Sequence, residues 1–260
     1  MRFSVITVCF NAGDKLKNTL ENILSEDFDD YEIIVKDGLS TDGSLELIPN
    51  DEKIKVFSEK DSGIYDAMNK AVEKASGEYV IFMNCGDEFY DKDVLKKTSA
   101  FINDNDGARI YYGDAYFVSA KETITQPGEI TESICYRHMP NHQSCFFDRT
   151  LWDDDALDTA YKIRADYDFF LRCFFEKNIR PKYLGITVAS YEGGGYSESK
   201  ENRERDKKEH REIVVKYMGE KKANHYRNIM RLTLQPLRTW IAQKSIFAGA
   251  YNSIKKKVYH

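Results

Sequence analysis

SEKDSGIYDAMNKAVEKASGEYVIFMNCGDEF, residues Ser58 to Phe89, spells out a loop, a helix, a strand and a second loop in succession. Gly63 permits a tight turn at the end of the first loop, and Ala67, Met68 and Ala71 recur at helical spacing, so 67–75 is expected to be a helix with that face against a sheet. Tyr79 to Met83 (YVIFM) is a continuous apolar run, the pattern of a strand covered on both faces. It stops at the polar group Asn84, Cys85, Gly86, Asp87, Glu88.

The same alternation extends outward in both directions. Upstream, Phe3 to Phe10 (FSVITVCF), Tyr31 to Val35 and Ile54 to Ser58 read as strands, separated by helical patterns at Leu16–Leu24 and Ser44–Ile48. Downstream, Val94–Ile102 reads as a helix, Arg109–Val118 as a strand, 120–144 as irregular, Asp166–Phe175 as a helix, Tyr183–Ala189 as a strand and Lys200–Tyr217 as a charged helix. Strands alternating with helices imply right-handed crossovers and a single Rossmann-like, mainly parallel α/β sheet flanked by helices. Ligands of such sheets bind beyond the carboxyl ends of the strands. Three polar clusters fall at those ends: Asn11–Asp14, Asp37–Asp42 and Asn84–Glu88.

Composition narrows the classes. The net charge of -5 lacks the basic excess of a nucleic-acid binder, and the hydrophobic and charged fractions of 42% and 31% are those of a folded body. Residues 221 to 260 hold nine Lys or Arg and no Asp or Glu, leaving about -14 on the rest. In that tail Ile229, Leu232, Leu237, Trp240, Ile241 and Phe247 intersperse with basic residues. The pattern suits amphipathic helices lying on an anionic membrane surface; packing on the acidic body or on another subunit is the alternative. Five scattered cysteines with no CxxC pair fit a reducing compartment better than a disulfide framework or a zinc site. With no signal-like or spanning segment in view, a cytoplasmic place is expected, peripheral on the inner face of the cell membrane.

Asp87 stands directly after an apolar strand, where a carboxylate can reach a divalent cation bridging two phosphates; capping of the following turn is the plainer role. SVITVCFN, VKDGLSTDGS, the Ser58–Phe89 block and RADYDFFLR occur in order. Together they resemble family 2 glycosyltransferases of the GT-A fold, especially the subgroup that builds bacterial surface polysaccharides such as colanic acid, over residues 1 to 195.

The resemblance implies roles for individual positions. Val8 and Phe10 match positions near the donor's base, Asp37 an acid that hydrogen-bonds it, and Asp61 and Lys70 nucleotide contacts. Asp87 matches the last acid of the family's metal motif for Mn or Mg, although Asn84 and Gly86 stand where many relatives carry acids. Asp166 matches the catalytic base, with Ala165 replacing the usual first acid, and Asp168 is the candidate orienting partner. His142 and Gln143 match a pair near the donor sugar and diphosphate. The implied reaction is inverting transfer from a nucleoside diphosphate sugar, UDP favoured, to the hydroxyl of a saccharide or lipid-linked saccharide. The implied organisation is a donor-binding half at 1–115, an acceptor and catalytic half at 116–199, and a helical basic extension at 200–260. The glycine loop Glu192–Ser197 reads as a lid or phosphate loop against a plain turn. The charge run Lys200–Arg211 reads as a solvated helix face. A nucleotidyltransferase would need a Gly/Arg/Lys-rich triphosphate loop that Asn11–Lys15 does not supply. A non-catalytic scaffold in a polysaccharide assembly complex is the other rival, on the strength of the missing acids.

Overall fold

The computed structural model describes residues 1–105, 107–193 and 202–232. Its first compact unit, Met1–Ile213, holds a sheet of nine strands among the described residues. Strands β1 (Phe3–Cys9), β2 (Tyr31–Asp37), β3 (Ile54–Ser58) and β4 (Tyr79–Phe82) run parallel in the order β3-β2-β1-β4. Beyond β4 the order continues through β8 (Cys145–Asp148), β6 (Ile110–Phe117) and β9 (Lys182–Tyr191) to β5 (Asp87–Phe89), with β7 (Glu122–Ile124) beside β6. β6 and β9 are parallel, whereas β8, β5 and β7 pair antiparallel with their neighbours over two or three residues each. The parallel registers are the long ones, so the sheet is mainly parallel, as the alternation of elements predicts.

Every residue of β1 and β2 is buried, because helices cover both faces. On one face Phe3, Val5, Ile33, Ile81 and Met83 join Leu16, Leu20 and Ile23 of α1 (Asp14–Leu24) and Val94, Leu95 and Ile102 of α3 (Val94–Asp104). α2 (Ile64–Lys74) packs on β1 and β2, burying Ala67, Met68, Ala71 and Val72. Phe82 and Phe147 face Trp152 of α5 (Leu151–Asp154), whose ring also lies 4.3 Å from that of Phe169 of α6 (Ala165–Phe175). Each such apolar side chain contributes on the order of 1.5–3 kcal/mol when fully buried. Polar residues inside the sheet are matched: Glu32 accepts hydrogen bonds from the Ser4 hydroxyl at 2.6 Å, the Ser76 N–H at 2.6 Å and Lys55 Nζ at 2.6 Å.

Several local expectations change. Ser44–Leu47 is a 3-10 turn in place of an α-helix, since four residues between two loops are too short to nucleate one. The stretch 120–144 contains β7, α4 (Glu132–Arg137) and a 3-10 turn at His142–Ser144. Asp87 and Glu88, read as loop, enter β5 because β9 continues past its apolar pattern and offers a pairing edge at Ala189–Tyr191. The charged helix is α7 (Arg203–Leu232), and its face is not simply solvated: Glu209 is buried and Asp206 is ion-paired.

The second unit begins at Val214. Its described residues continue α7 to Leu232, with non-helical backbone at Gly219 (φ 75°, ψ 158°) and exposed Ile229 and Leu232. Gly194 and Gly195 of the glycine loop, and the tail residues Leu237, Trp240, Ile241 and Phe247, lie outside the described residues. Among the described residues no helix is long and apolar enough to cross a membrane.

Candidate active site

A cavity of about 510 Å³ opens beyond the carboxyl end of β4. Asn84, Asp87, His142, Gln143, Asp166 and Tyr65 are among its lining residues. Four elements bring them there, with α2 supplying Tyr65. The turn between β4 and β5 is closed by the Asp87 N–H donating to the Asn84 carbonyl at 2.8 Å, with Gly86 at φ 99°. Thr19 of α1 anchors it, accepting from the Gly86 N–H at 3.0 Å and donating to the Asp87 carbonyl at 3.0 Å. The 3-10 turn presents His142 and Gln143, and the first turn of α6 presents Asp166.

His142 is the hub. Its Nδ1 lies 3.4 Å from Asp166 Oδ2, and its Nε2 lies 3.4 Å from Asn84 Nδ2. In the neutral ring, an Asn84 amide N–H donating to Nε2 leaves the ring proton on Nδ1, facing Asp166; in the charged ring both nitrogens carry protons and Nδ1 still faces the carboxylate. Asp166 Oδ1 accepts from the Tyr167 N–H at 2.9 Å, and the Tyr65 hydroxyl, which donates to the Ile163 carbonyl at 2.5 Å, lies 3.3 Å from it. Burial pushes the Asp166 carboxyl up, but the His142 hydrogen bond and charge outweigh it and hold the group below the usual carboxylate range. His142 shifts the opposite way: burial lowers it, and Asp166 and Asp87 together raise it above the ordinary histidine value. Asp87 is pushed up to about 6 by burial, with His142 opposing.

The other expected site residues gather at the ends of β1, β2 and β3, outside that cavity's lining. Phe10 is 67% exposed, presenting an aromatic face at the end of β1. A Cβ on Gly38 would stand 2.7 Å from Asp61 Oδ2 and 3.3 Å from Phe10, so the glycine lets acid and ring close on the same loop. Asp37 is buried and accepts from the Leu39 N–H at 3.0 Å, the Ser40 N–H at 3.1 Å and the Ser58 hydroxyl at 2.6 Å. Val8 is buried within β1. Lys70 donates to the Lys60 carbonyl at 2.8 Å and pairs with Asp66 at 3.2 Å. Asp168 is fully buried and is not among the cavity's lining residues; the partner of Asp166 is His142.

Three further side chains pack against these residues. Tyr65 is an ordinary helix residue until α6 is folded beside it. Asn84 looks like a lost acid, not a histidine partner. Lys36, fully buried, donates to the carbonyls of Asp37 at 2.8 Å and Glu59 at 2.6 Å and lies 3.5 Å from Asp61 Oδ2. Only Lys36 left a signal, since a lysine inside the apolar run Tyr31–Asp37 must find partners in the fold.

The residues fit a divalent cation shared with a ligand, not one held by protein alone. Asp87 supplies one half-buried carboxylate, and the buried Asn84 Oδ1 has no hydrogen-bond partner. Among the described residues no group of three His, Cys, Asp or Glu side chains could close a metal site.

The parallel β3-β2-β1-β4 half-sheet, continued by mixed strands and carrying its cavity at the strand ends, is the architecture of the GT-A glycosyltransferases. Residues 4–200 match glycosyl transferase family 2, and the chain belongs to that family. A PGL/p-HBAD biosynthesis glycosyltransferase of Mycobacterium bovis (strain BCG / Pasteur 1173P2) is 31% identical over 202 residues, covering 75% of this chain and 78% of that protein. The fold is similar to that of Staphylococcus aureus TarS 1–349 in complex with UDP-GlcNAc (TM-score 0.66, 21% identity, 83% of this chain and 67% of the other). It is also similar to that of the mannosyltransferase PcManGT from Pyrobaculum calidifontis in complex with GDP-Man and Mn2+ (TM-score 0.67, 15% identity, 96% and 83%).

Proposed function

We propose that this glycosyltransferase moves a sugar, with inversion, from a nucleoside diphosphate sugar to an acceptor hydroxyl, with Asp166 as the base. One observation carries the reading: a carboxylate kept ionised by His142 lines the same cavity as Asp87. An ionised acid within reach of an incoming hydroxyl can take its proton as the oxygen attacks the anomeric carbon. The bond to the diphosphate then breaks, its electron pair leaving with the phosphate oxygen. His142 holds the base in place through Nδ1, and the Tyr167 N–H fixes the second carboxylate oxygen. Phe10 offers a stacking face for a base. Val8, Asp37 and Asp61 would complete that seat, with Lys70 and Gln143 completing the donor contacts. A UDP-sugar is the favoured donor. Asp87, with the Asn84 amide oxygen, would hold Mn or Mg, which when bound offsets charge on the departing diphosphate.

The acceptor reading is a saccharide or lipid-linked saccharide of bacterial surface glycoconjugate synthesis. Its support is the mycobacterial relative, named for PGL/p-HBAD biosynthesis, and the basic tail, which suits a peripheral seat on the inner membrane face. In this reading residues 1–115 bind donor, 116–199 bind acceptor and carry the base, and 200–260 form the extension.

Asp166→Asn tests the assignment. Transfer should fall by at least about 100-fold while UDP binding, read by thermal stabilisation with Mn2+, stays as in the wild type. Undiminished transfer by the variant would remove the base, and a wild-type chain that releases no nucleotide from any sugar donor would favour a scaffold.

A further inference from the structure

We propose that Glu209, seconded by Asp206, is a positioning residue for Asp166, so that the base is set from α7 as well as from its own helix. The proposal rests on the transferase reading above. The segment entering α6 turns three successive N–H groups toward one carboxylate. Glu209 Oε1 accepts from Lys162 at 2.9 Å, and Oε2 accepts from Ile163 at 2.9 Å and Arg164 at 3.0 Å. Glu209 is 6% exposed, so water offers those donors no ready substitute. Arg164 has no side-chain cap of its own at the α6 N-terminus. Its guanidinium instead grips Asp206 bidentately, Nε to Oδ1 at 2.7 Å and Nη2 to Oδ2 at 3.0 Å.

Asp206, Glu209 and His210 follow i, i+3, i+4 spacing and share one face of α7. His210 completes the contact: its ring stacks on Tyr167 at 5.6 Å with planes 7° apart, and its Nε2 donates to the Tyr136 carbonyl at 2.7 Å. This face therefore grips the chain from Lys162 to Tyr167, the segment that includes Asp166. The Ile163 carbonyl, between two of the gripped N–H groups, accepts from the same Tyr65 hydroxyl that touches Asp166. Small errors in placing a catalytic group are costly because proton transfer needs near-contact geometry.

The test compares wild type, Glu209→Gln and Asp206→Asn, each as the full chain. Nucleotide release is measured with Mn2+ from UDP-glucose, UDP-N-acetylglucosamine and GDP-mannose, alongside a calorimetric count of UDP and GDP sites per chain. Glutamine keeps the size of Glu209 but turns an amide against one or more of the three N–H groups. Release per nucleotide-binding site should fall about 10- to 100-fold in Glu209→Gln, and several-fold in Asp206→Asn, with donor KM within about twofold of wild type. A purely structural role would lower the number of sites and leave the rate per site unchanged, and that result overturns the proposal. Asp206→Asn leaves Glu209 in place, and its rate per site decides the question in the same way if Glu209→Gln does not fold. A wild-type chain with nucleotide sites but no release from any donor overturns the transferase reading itself, and the positioning role with it.

Discussion

Glu26 and Asp166 are both acids in largely closed surroundings, yet they titrate in opposite directions. Glu26 is pushed up to about 7 from an ordinary value of 4.5, because burial dominates: the Leu95 N–H, donating to it at 2.8 Å, opposes the rise only in part, and Asp91 and Asp93 repel its charge. Asp166 is held low because an imidazole meets it. The sign for stability follows. A raised acid binds its proton more tightly when folded, so the contribution of Glu26 is whole below pH 4.5 and disappears as pH rises through 7. The loss is on the order of 3–4 kcal/mol. Glu26→Gln keeps an acceptor for Leu95 and cannot ionise, so it should raise the melting temperature at pH 8 and change it little at pH 5, read by calorimetry. The place of Asp166 in RADYDFFLR marks it in the sequence as the expected base, but neither its direct partner His142 nor the nearby Tyr65 can be read there, since three separate elements must meet before those contacts exist.

Among the elements, β1, β2 and β4 were legible because strands covered on both faces have little choice of residue, β3, a largely exposed edge strand, from its place in the alternation of strands and helices, and α2 because its small apolar face recurs at helical spacing. β5 was not: Asp87, Glu88 and Phe89 form a strand only because β9 gives them an edge. The pairing of β6 with β9 carries a constraint of its own. Its register shifts on either side of Asp114, and at Gly113 the strands come so close that a Cβ would stand 2.5 Å from the Ile186 carbonyl oxygen and 2.6 Å from Val188 Cγ2. Backbone cannot yield as a side-chain tip can, so Gly113→Ala should cost about 1–3 kcal/mol of unfolding free energy in urea titration. α7 was legible as a helix and misread as a surface, because an average over Lys200–Arg211 hides that Asp206, Glu209 and His210 fall together on one side.

For the molecule as a whole, the fold class and the family were legible in the order of motifs, and the charge division between an acidic body and a basic tail from residue 221 is plain from composition alone. The extent of the working unit was not plain. The family match ends at residue 200, and that outline invites a cut there. The first compact unit nevertheless runs to Ile213, and Asp206, Glu209 and His210 lie between those two ends. A chain stopped at 200 should keep its sheet, by circular dichroism, and still turn over donor at least about 10-fold more slowly than one stopped at 213. The recognisable domain and the smallest competent enzyme would then be different lengths of the same polypeptide, with the boundary of competence written in a helix that no family motif marks.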